Sequence, residues 1–417
     1  MSIFYKTAVI SVILLSFGPA ISVDGQTPQS LTLDDCINSA RKNNETVKIQ
    51  SQKITQSEQK ILRASGDILP NLSFLYQKFY KNYAESTVSE EGTDSRFFVA
   101  QPLYYGSRKK KTIELSKSDK YIAELQLQDV TRKLDSDVAL AFYTLMQFES
   151  DLKNTNETVD KMTDRKNELK ERVRLGKSRE SELYMLESQI ALLRSDVQNI
   201  FGKYTKSLET LSFLTGISAS AVKISDILPE PQSVGPIEKI IESAISRSDI
   251  QAANESVAEQ YLRVRIAKGE YLPTFDLNSS WYTTRSGSTS GSDWDVYLLL
   301  NMPLFQGGRI KSRVNEELSK LQEYKDFLSL TMRKLKTEIR QLHTSLESSV
   351  AQVSALKDAY NKAQKSYDLQ VEDYRLGLVN NLDVIQATLT LLYVKSNLDR
   401  VVLQAKLNKI LLDISVR

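Results

Sequence analysis

Between residues 293 and 302 (DWDVYLLLNM) the side chains alternate. Trp294, Val296, Leu298, Leu300 and Met302 lie on one face, opposite Asp293, Asp295, Tyr297, Leu299 and Asn301. Such a period of two predicts a half-buried strand. From Ile310 the period changes. Apolar residues then recur through Val314, Leu321, Leu335, Leu346 and Tyr360 to Tyr374 with a mean step of about 3.56 residues. That lies between the 3.5 of a left-handed coiled coil and the 3.6 of a straight helix, and it predicts one helix about 100 Å long over residues 308–375. Strand passes to helix through Met302-Pro303-Leu304-Phe305-Gln306-Gly307-Gly308-Arg309.

The chain does this twice. Gln101-Pro102-Leu103-Tyr104-Tyr105-Gly106-Ser107-Arg108 repeats the junction about 201 residues earlier, and Arg174-Leu175-Gly176 reappears as Arg375-Leu376-Gly377 at the same offset. Ile68-Leu69-Pro70 matches Tyr271-Leu272-Pro273, with Ala64 and Gly66 matching Ala267 and Gly269, about 203 residues apart. Four anchors in one order describe an internal duplication. The first repeat is assigned to residues 23–227, with strands over about 71–82 and 95–105 and a helical hairpin over 107–215. The second is assigned to 237–417, with strands over about 274–284 and 293–304 and a hairpin over 308–413. A Pro-rich linker, 228–236, separates them.

Each repeat is expected to open with a helix, from about Leu31 to Gly66 with Thr32 as N-cap, and from Ile237 to about Gly269. Leu-Pro ends both, because the residue before proline resists helical geometry. Arg-Leu-Gly ends each long helix. Gly176 and Gly377 are candidates for the left-handed conformation at the two tips, where the chain turns into a return helix.

The net charge of +3 comes from interleaved acids and bases, which argues against a nucleic-acid partner. Arg108-Lys109-Lys110-Lys111 is read as a solvated helix start near a membrane surface. Residues 1–22 read as a secretory signal peptide: Lys6, an apolar stretch from Thr7 to Phe17, then Gly18-Pro19 and small residues. The competing reading is an uncleaved anchor. Cys36 is the only cysteine, so no internal disulfide is possible, and a partly buried helix position suits it. His343, the only histidine, sits mid-helix and is read as a surface or interface residue. No nucleophile motif, metal cluster or cofactor signature is present, so the chain is not read as an enzyme.

The strands are about 10–12 residues long, enough for a tilted crossing of a bilayer, and Trp281, Tyr282, Trp294 and Tyr297 could serve as interfacial aromatics. They would equally serve an ordinary soluble hairpin. Four strands cannot close a barrel, and an open edge is forbidden in lipid, so the membrane reading requires oligomerisation.

Taken together, the paired Leu-Pro strand entries, the Pro-Leu-(Phe/Tyr)-x-Gly-(Gly/Ser)-Arg exits, the duplication and the tip Tyr374-Arg375-Leu376-Gly377-Leu378-Val379-Asn380-Asn381-Leu382-Asp383 resemble the TolC-type outer-membrane efflux channel family. The resemblance spans nearly the whole mature chain. It implies a mainly α fold with β: long helical hairpins forming a periplasmic tunnel, and four membrane strands per protomer that close a 12-stranded barrel in a homotrimer. It implies an outer-membrane location and a passive exit duct of a tripartite efflux pump or type I secretion system. A periplasmic adaptor protein, an inner-membrane transporter and outer-membrane lipid would be its partners. The alternative is a soluble periplasmic coiled-coil scaffold with small β-hairpin domains.

The resemblance also places a gate at the tip, with Tyr374 and Asp383 at the family's tyrosine and acidic positions, Glu182 as the first-repeat equivalent of Asp383, and Gly176 and Gly377 at the turns. Asp383 is open to a second reading, as an acid favoured by a helix N-terminus. Tyr374 and Glu182 are candidates for the closing contacts. Gln386 and Val379 depart from acid and arginine found in some members, which implies a less acidic gate locked differently. Pro102, Gly106, Pro303 and Gly307 mark the strand–helix junctions.

Overall fold

The structure is a computed structural model that describes residues 30–82, 89–221, 223–231, 235–286 and 291–417. The signal segment, and parts of the predicted strand-connecting loops and of the linker, lie outside these residues. Two antiparallel hairpins, β1 (Asn71–Asn82) with β2 (Ser89–Tyr105) and β3 (Thr274–Arg285) with β4 (Trp294–Asn301), join through β2 and β3 into one sheet of order β1-β2-β3-β4. β2 begins six residues before its predicted start, and β4 stops before Pro303. Pro303 has no N–H to continue the ladder, whereas Pro102 is accommodated at an irregularity in the β2–β3 register.

Each hairpin leads into helices of equal length. α3 (Arg108–Arg174) and α7 (Arg309–Leu376) have 67 and 68 residues, and the return helices α4 (Glu180–Thr215) and α8 (Asn381–Val416) have 36 each. The predicted opening helices are each broken in two. α1 (Leu33–Asn43) gives way to α2 (Glu45–Gly66) at Asn44, which turns extended and caps α2 through Thr46 N–H. α5 (Ile237–Ala244) and α6 (Ser248–Lys268) are separated at residues 245–247. Neither break follows a proline or glycine, which is why periodicity passes over both. Thr32 does cap α1, in a reciprocal capping box with Asp35.

The strand–helix junctions have the same backbone in both repeats. Gly106 and Ser107 have φ of 58° and 60°, and Gly307 and Gly308 have 56° and 81°. Two successive left-handed residues swing the chain from sheet to helix axis, a conformation that L side chains resist. The surroundings differ. A Cβ at Gly106 would lie 2.5 Å from the Gly269 carbonyl oxygen and 2.9 Å from Leu272 Cβ, whereas at Gly307 it would meet nothing within 4 Å.

The core follows the duplication. Leu134, Val138 and Leu145 of α3 are buried at the positions that Leu335, Ile339 and Leu346 occupy in α7. Phe142, fully buried in the first repeat, corresponds to His343 in the second. His343 is therefore a core position and not the surface or interface residue expected. Its Nε2 is 2.9 Å from the Gly235 carbonyl, which anchors the end of the linker. Cys36 is wholly buried in the same cluster as Phe142, and burial pushes its thiol pKa up to about 11. Arg41 forms an ion pair with the buried Asp135 and ties α1 to α3. Among the described residues no helix is long and apolar enough to cross a membrane.

Gly106→Ala is expected to lower the thermal stability of the detergent-solubilised protein far more than Gly307→Ala. The second should cost only the left-handed strain, about 1–2 kcal/mol. The first adds overlap with backbone that cannot move away. Equal melting temperatures for the two variants would contradict this junction geometry.

Candidate functional site

Two regions stand out: the sheet and the tip of the hairpins. In the sheet, register aligns four aromatic rings. Phe74 pairs with Phe97, Phe97 with Trp281, and Trp281 with Trp294, so one ring from each strand forms a row straight across. All are exposed, the two tryptophans by 69% and 67%, and the Phe74 and Phe97 centroids are 5.2 Å apart. Residues two, four and six places along share this face: Leu72, Leu277, Val296, Leu298 and Leu300. A second aromatic pair, Tyr104 and Phe275, lies six residues down β3 from Trp281, about 20 Å along the strand. Two aromatic levels bounding an apolar band are the pattern of a lipid-facing barrel wall.

The opposite face is more polar. Asn278 and Ser280 are buried there, and Arg96 donates to the Tyr282 hydroxyl at 3.1 Å, which in turn donates to Asp295 at 2.8 Å. Tyr282 and Tyr297 thus lie on the face away from the row. Of the four aromatics named as interfacial candidates, Trp281 and Trp294 lie in the row, joined by Phe74 and Phe97.

At the tip, Gly176 and Gly377 have φ of 70° and 77°. Lys177 N–H donates to Arg172 C=O at 2.8 Å, and Leu378 N–H to Asp373 C=O at 2.9 Å, so both long helices end in the same closing bond. Asp383 is half-exposed in a capping box: its carboxylate accepts from Asn380 N–H at 3.1 Å, and the Asn380 side chain accepts from Asp383 N–H at 3.2 Å. Glu182 accepts from Ser178 Oγ at 2.8 Å and pairs with Arg179 at 3.3 Å. Within one protomer Glu182 and Tyr374 make no contact with each other.

Tyr374 is instead held by α3. Its ring is buried between two guanidiniums, with Arg165 at 4.1 Å and Arg172 at 4.5 Å from the centroid. One heptad earlier Lys161 lies 5.8 Å from the ring of Tyr367. The Tyr374 hydroxyl has no hydrogen-bond partner among the described residues, so the ring, and not the hydroxyl, fastens α7 to α3. Arg165 also donates through Nε to Asn381 Oδ1 at 2.8 Å, which brings in α8. Arg165, Arg172 and Asn381 were not anticipated. The seven-residue spacings Arg165–Arg172 and Tyr367–Tyr374 would have placed each pair on one helix face, but nothing in the spacing says which faces meet.

The model of the family described as "Outer membrane efflux protein" matches residues 240–412, from α5 through most of α8. Over 403 residues the chain is 22% identical to outer membrane protein TolC of Escherichia coli strain K12, covering 91% of this chain and 81% of that one. Over its second repeat the chain matches the outer membrane efflux protein family. Solved structures give the same fold. A membrane protein from Pseudomonas aeruginosa superposes with a TM-score of 0.83 at 16% identity, covering 92% of this chain and 93% of that one. The CmeC outer membrane channel of Campylobacter jejuni gives 0.81 at 15% identity, covering 98% and 94%.

Because the contact is made by the ring, Tyr374→Phe should leave hydrogen exchange of the tip amides over residues 368–380 near wild type. Tyr374→Leu should speed it roughly three- to thirty-fold, the equivalent of losing one or two cation–π contacts. Equal acceleration in both variants would mean that the hydroxyl matters after all.

Proposed function

We propose that three copies of this chain form a closed outer-membrane duct whose helices continue as a tunnel in the periplasm. The observation that carries this is the sheet. β1 and β4 are both open edges, and the face that carries the aromatic row is apolar and uncovered. Open edges in lipid would strand backbone hydrogen-bonding groups at several kcal/mol each. Three sheets of four strands joined edge to edge leave none, and eight to twelve strands enclose a lumen. The duct is passive in this reading. It serves as the exit of a tripartite efflux pump or type I secretion system, with a periplasmic adaptor at the tip and an inner-membrane transporter beneath. The division into two repeats at the 228–236 linker belongs to the same reading. A soluble scaffold would leave Phe74, Phe97, Trp281 and Trp294 in water, which speaks against the alternative.

The tip is the gate in this reading. Tyr374 clasps α7 to α3, Gly176 and Gly377 shape the turns, and Asp383, present three times around one axis, charges the mouth. Its bond to the Asn380 amide leaves the second carboxylate oxygen for cations.

In detergent the mature protein should have a protein mass of about three times the chain's 47.3 kDa, less the leader; a stable monomer would refute the duct. In planar bilayers Asp383→Asn should weaken block by divalent cations several-fold while retaining an acceptor for the cap. Unchanged block would leave Asp383 as a helix cap only.

A further inference from the structure

The contact between Arg165 and Asn381 is incomplete. Nε and Nη2 share one edge of a guanidinium, the edge that a carboxylate would grip with both oxygens. Here a carboxamide meets it. Asn381 Oδ1 accepts from Nε, and its other arm is a donor. Both Arg165 Nη2 and Asn381 Nδ2 are left without a hydrogen-bond partner and without solvent contact. Exchanging the amide's oxygen and nitrogen would not help, since one arm is a donor either way. Asn381 is only 1% exposed.

The charges around the edge do not compensate. Arg165 has no ion pair among the described residues. Glu168, one turn along its helix, is 3.6 Å from Arg172, Asp164 beside it in sequence is exposed and forms no ion pair with it, and Asp383 is bonded to the Asn380 amide. Arg172 is the second cation against the Tyr374 ring. Burial, with the repulsion from Arg172 adding to it, holds the Arg165 guanidinium below its ordinary pKa. A buried guanidinium without an anion is destabilising, and so is each orphaned donor. The α8 N-terminus, of which Asn381 is the first residue, adds a further positive end.

We propose that a small monovalent inorganic anion of chloride size binds between Arg165 Nη2 and Asn381 Nδ2 and locks α3 to α8 at the tip. The anion completes the contact that the carboxamide leaves half-made. It would act as a latch between the two hairpins, loosened when halide is scarce. The competing occupant is water. A neutral water would leave the charge uncompensated.

The probe is halide on the full-length protein in detergent. Crystals soaked in sodium bromide should show an anomalous peak within hydrogen-bond distance of Arg165 Nη2 and Asn381 Nδ2. Replacing sodium gluconate by sodium chloride at constant ionic strength should raise Tm with the logarithm of chloride concentration, by roughly 3 °C at a hundredfold excess over Kd. Asn381→Asp supplies the missing oxygen covalently, so it should have the higher Tm in gluconate and no chloride response. Arg165→Gln should have the lower Tm and no response. Absence of the bromide peak overturns the site, as does a chloride response that survives in Asn381→Asp. Should Asn381→Asp fail to fold, the bromide peak in the wild-type protein decides. A trimer that conducts ions but takes up no bromide here would refute the anion alone and leave the duct standing.

Discussion

A sheet edge cannot end in hydrocarbon. Every unpaired N–H and C=O there lacks water to bond with, and this constraint governs what the four strands can be. Their aromatic row and apolar band make one face unfit for water, while both edges remain open. Lipid outside and partner strands at both edges satisfy the two demands together. The helices inherit the consequence. In the proposed trimer each strand pair must pass to a helix at the same angle, and the doubled left-handed turn at 106–107 and 307–308 does this twice with one geometry.

Farther from the sheet, the means of holding helices together changes. At the level of Phe142 and Ile339 the seams are apolar and fully buried, stable at a cost of several kcal/mol per large side chain removed. Toward the tip the α3–α7 seam becomes aromatic rings under cations, with orphaned donors and a capping box beside them. Contacts of that kind are worth a kcal/mol or two each and depend on geometry. These polar contacts lie beside an apolar cluster and do not replace it: Met162, Leu169, Leu186, Ile190 and Ile385 are buried together between α3, α4 and α8.

The two repeats are alike in backbone and unlike in chemistry. Phe142 and His343 occupy one core position, yet the histidine bonds the linker through Gly235 while the phenylalanine only packs. Gly106 is pressed against Gly269 and Leu272, while its counterpart Gly307 has open space. Tyr374 has Val173 as its equivalent, so the tip clasp exists in one repeat only. Duplication set the frame, and divergence within it produced the asymmetry at the tip.

Much of this could be read along the chain, because local periodicity records it. The period of two over 293–302, the step near 3.56 from Ile310 and the glycines at 106, 176, 307 and 377 determined strands, long helices and turns before any contact was known. Constraints on the backbone are local, so they leave marks at fixed spacing. The row Phe74–Phe97–Trp281–Trp294 draws on residues up to 220 positions apart, and only the pairing register aligns them. The breaks at Asn44 and residues 245–247 have no proline or glycine to announce them, and they emerge only where α1 and α5 pack against the long helices. Which face of α3 meets α7, and hence that Arg165 and Arg172 enclose Tyr374, was decided by how the two hairpins pack. Helical spacing names the residues on a face, and only tertiary contact says what that face touches.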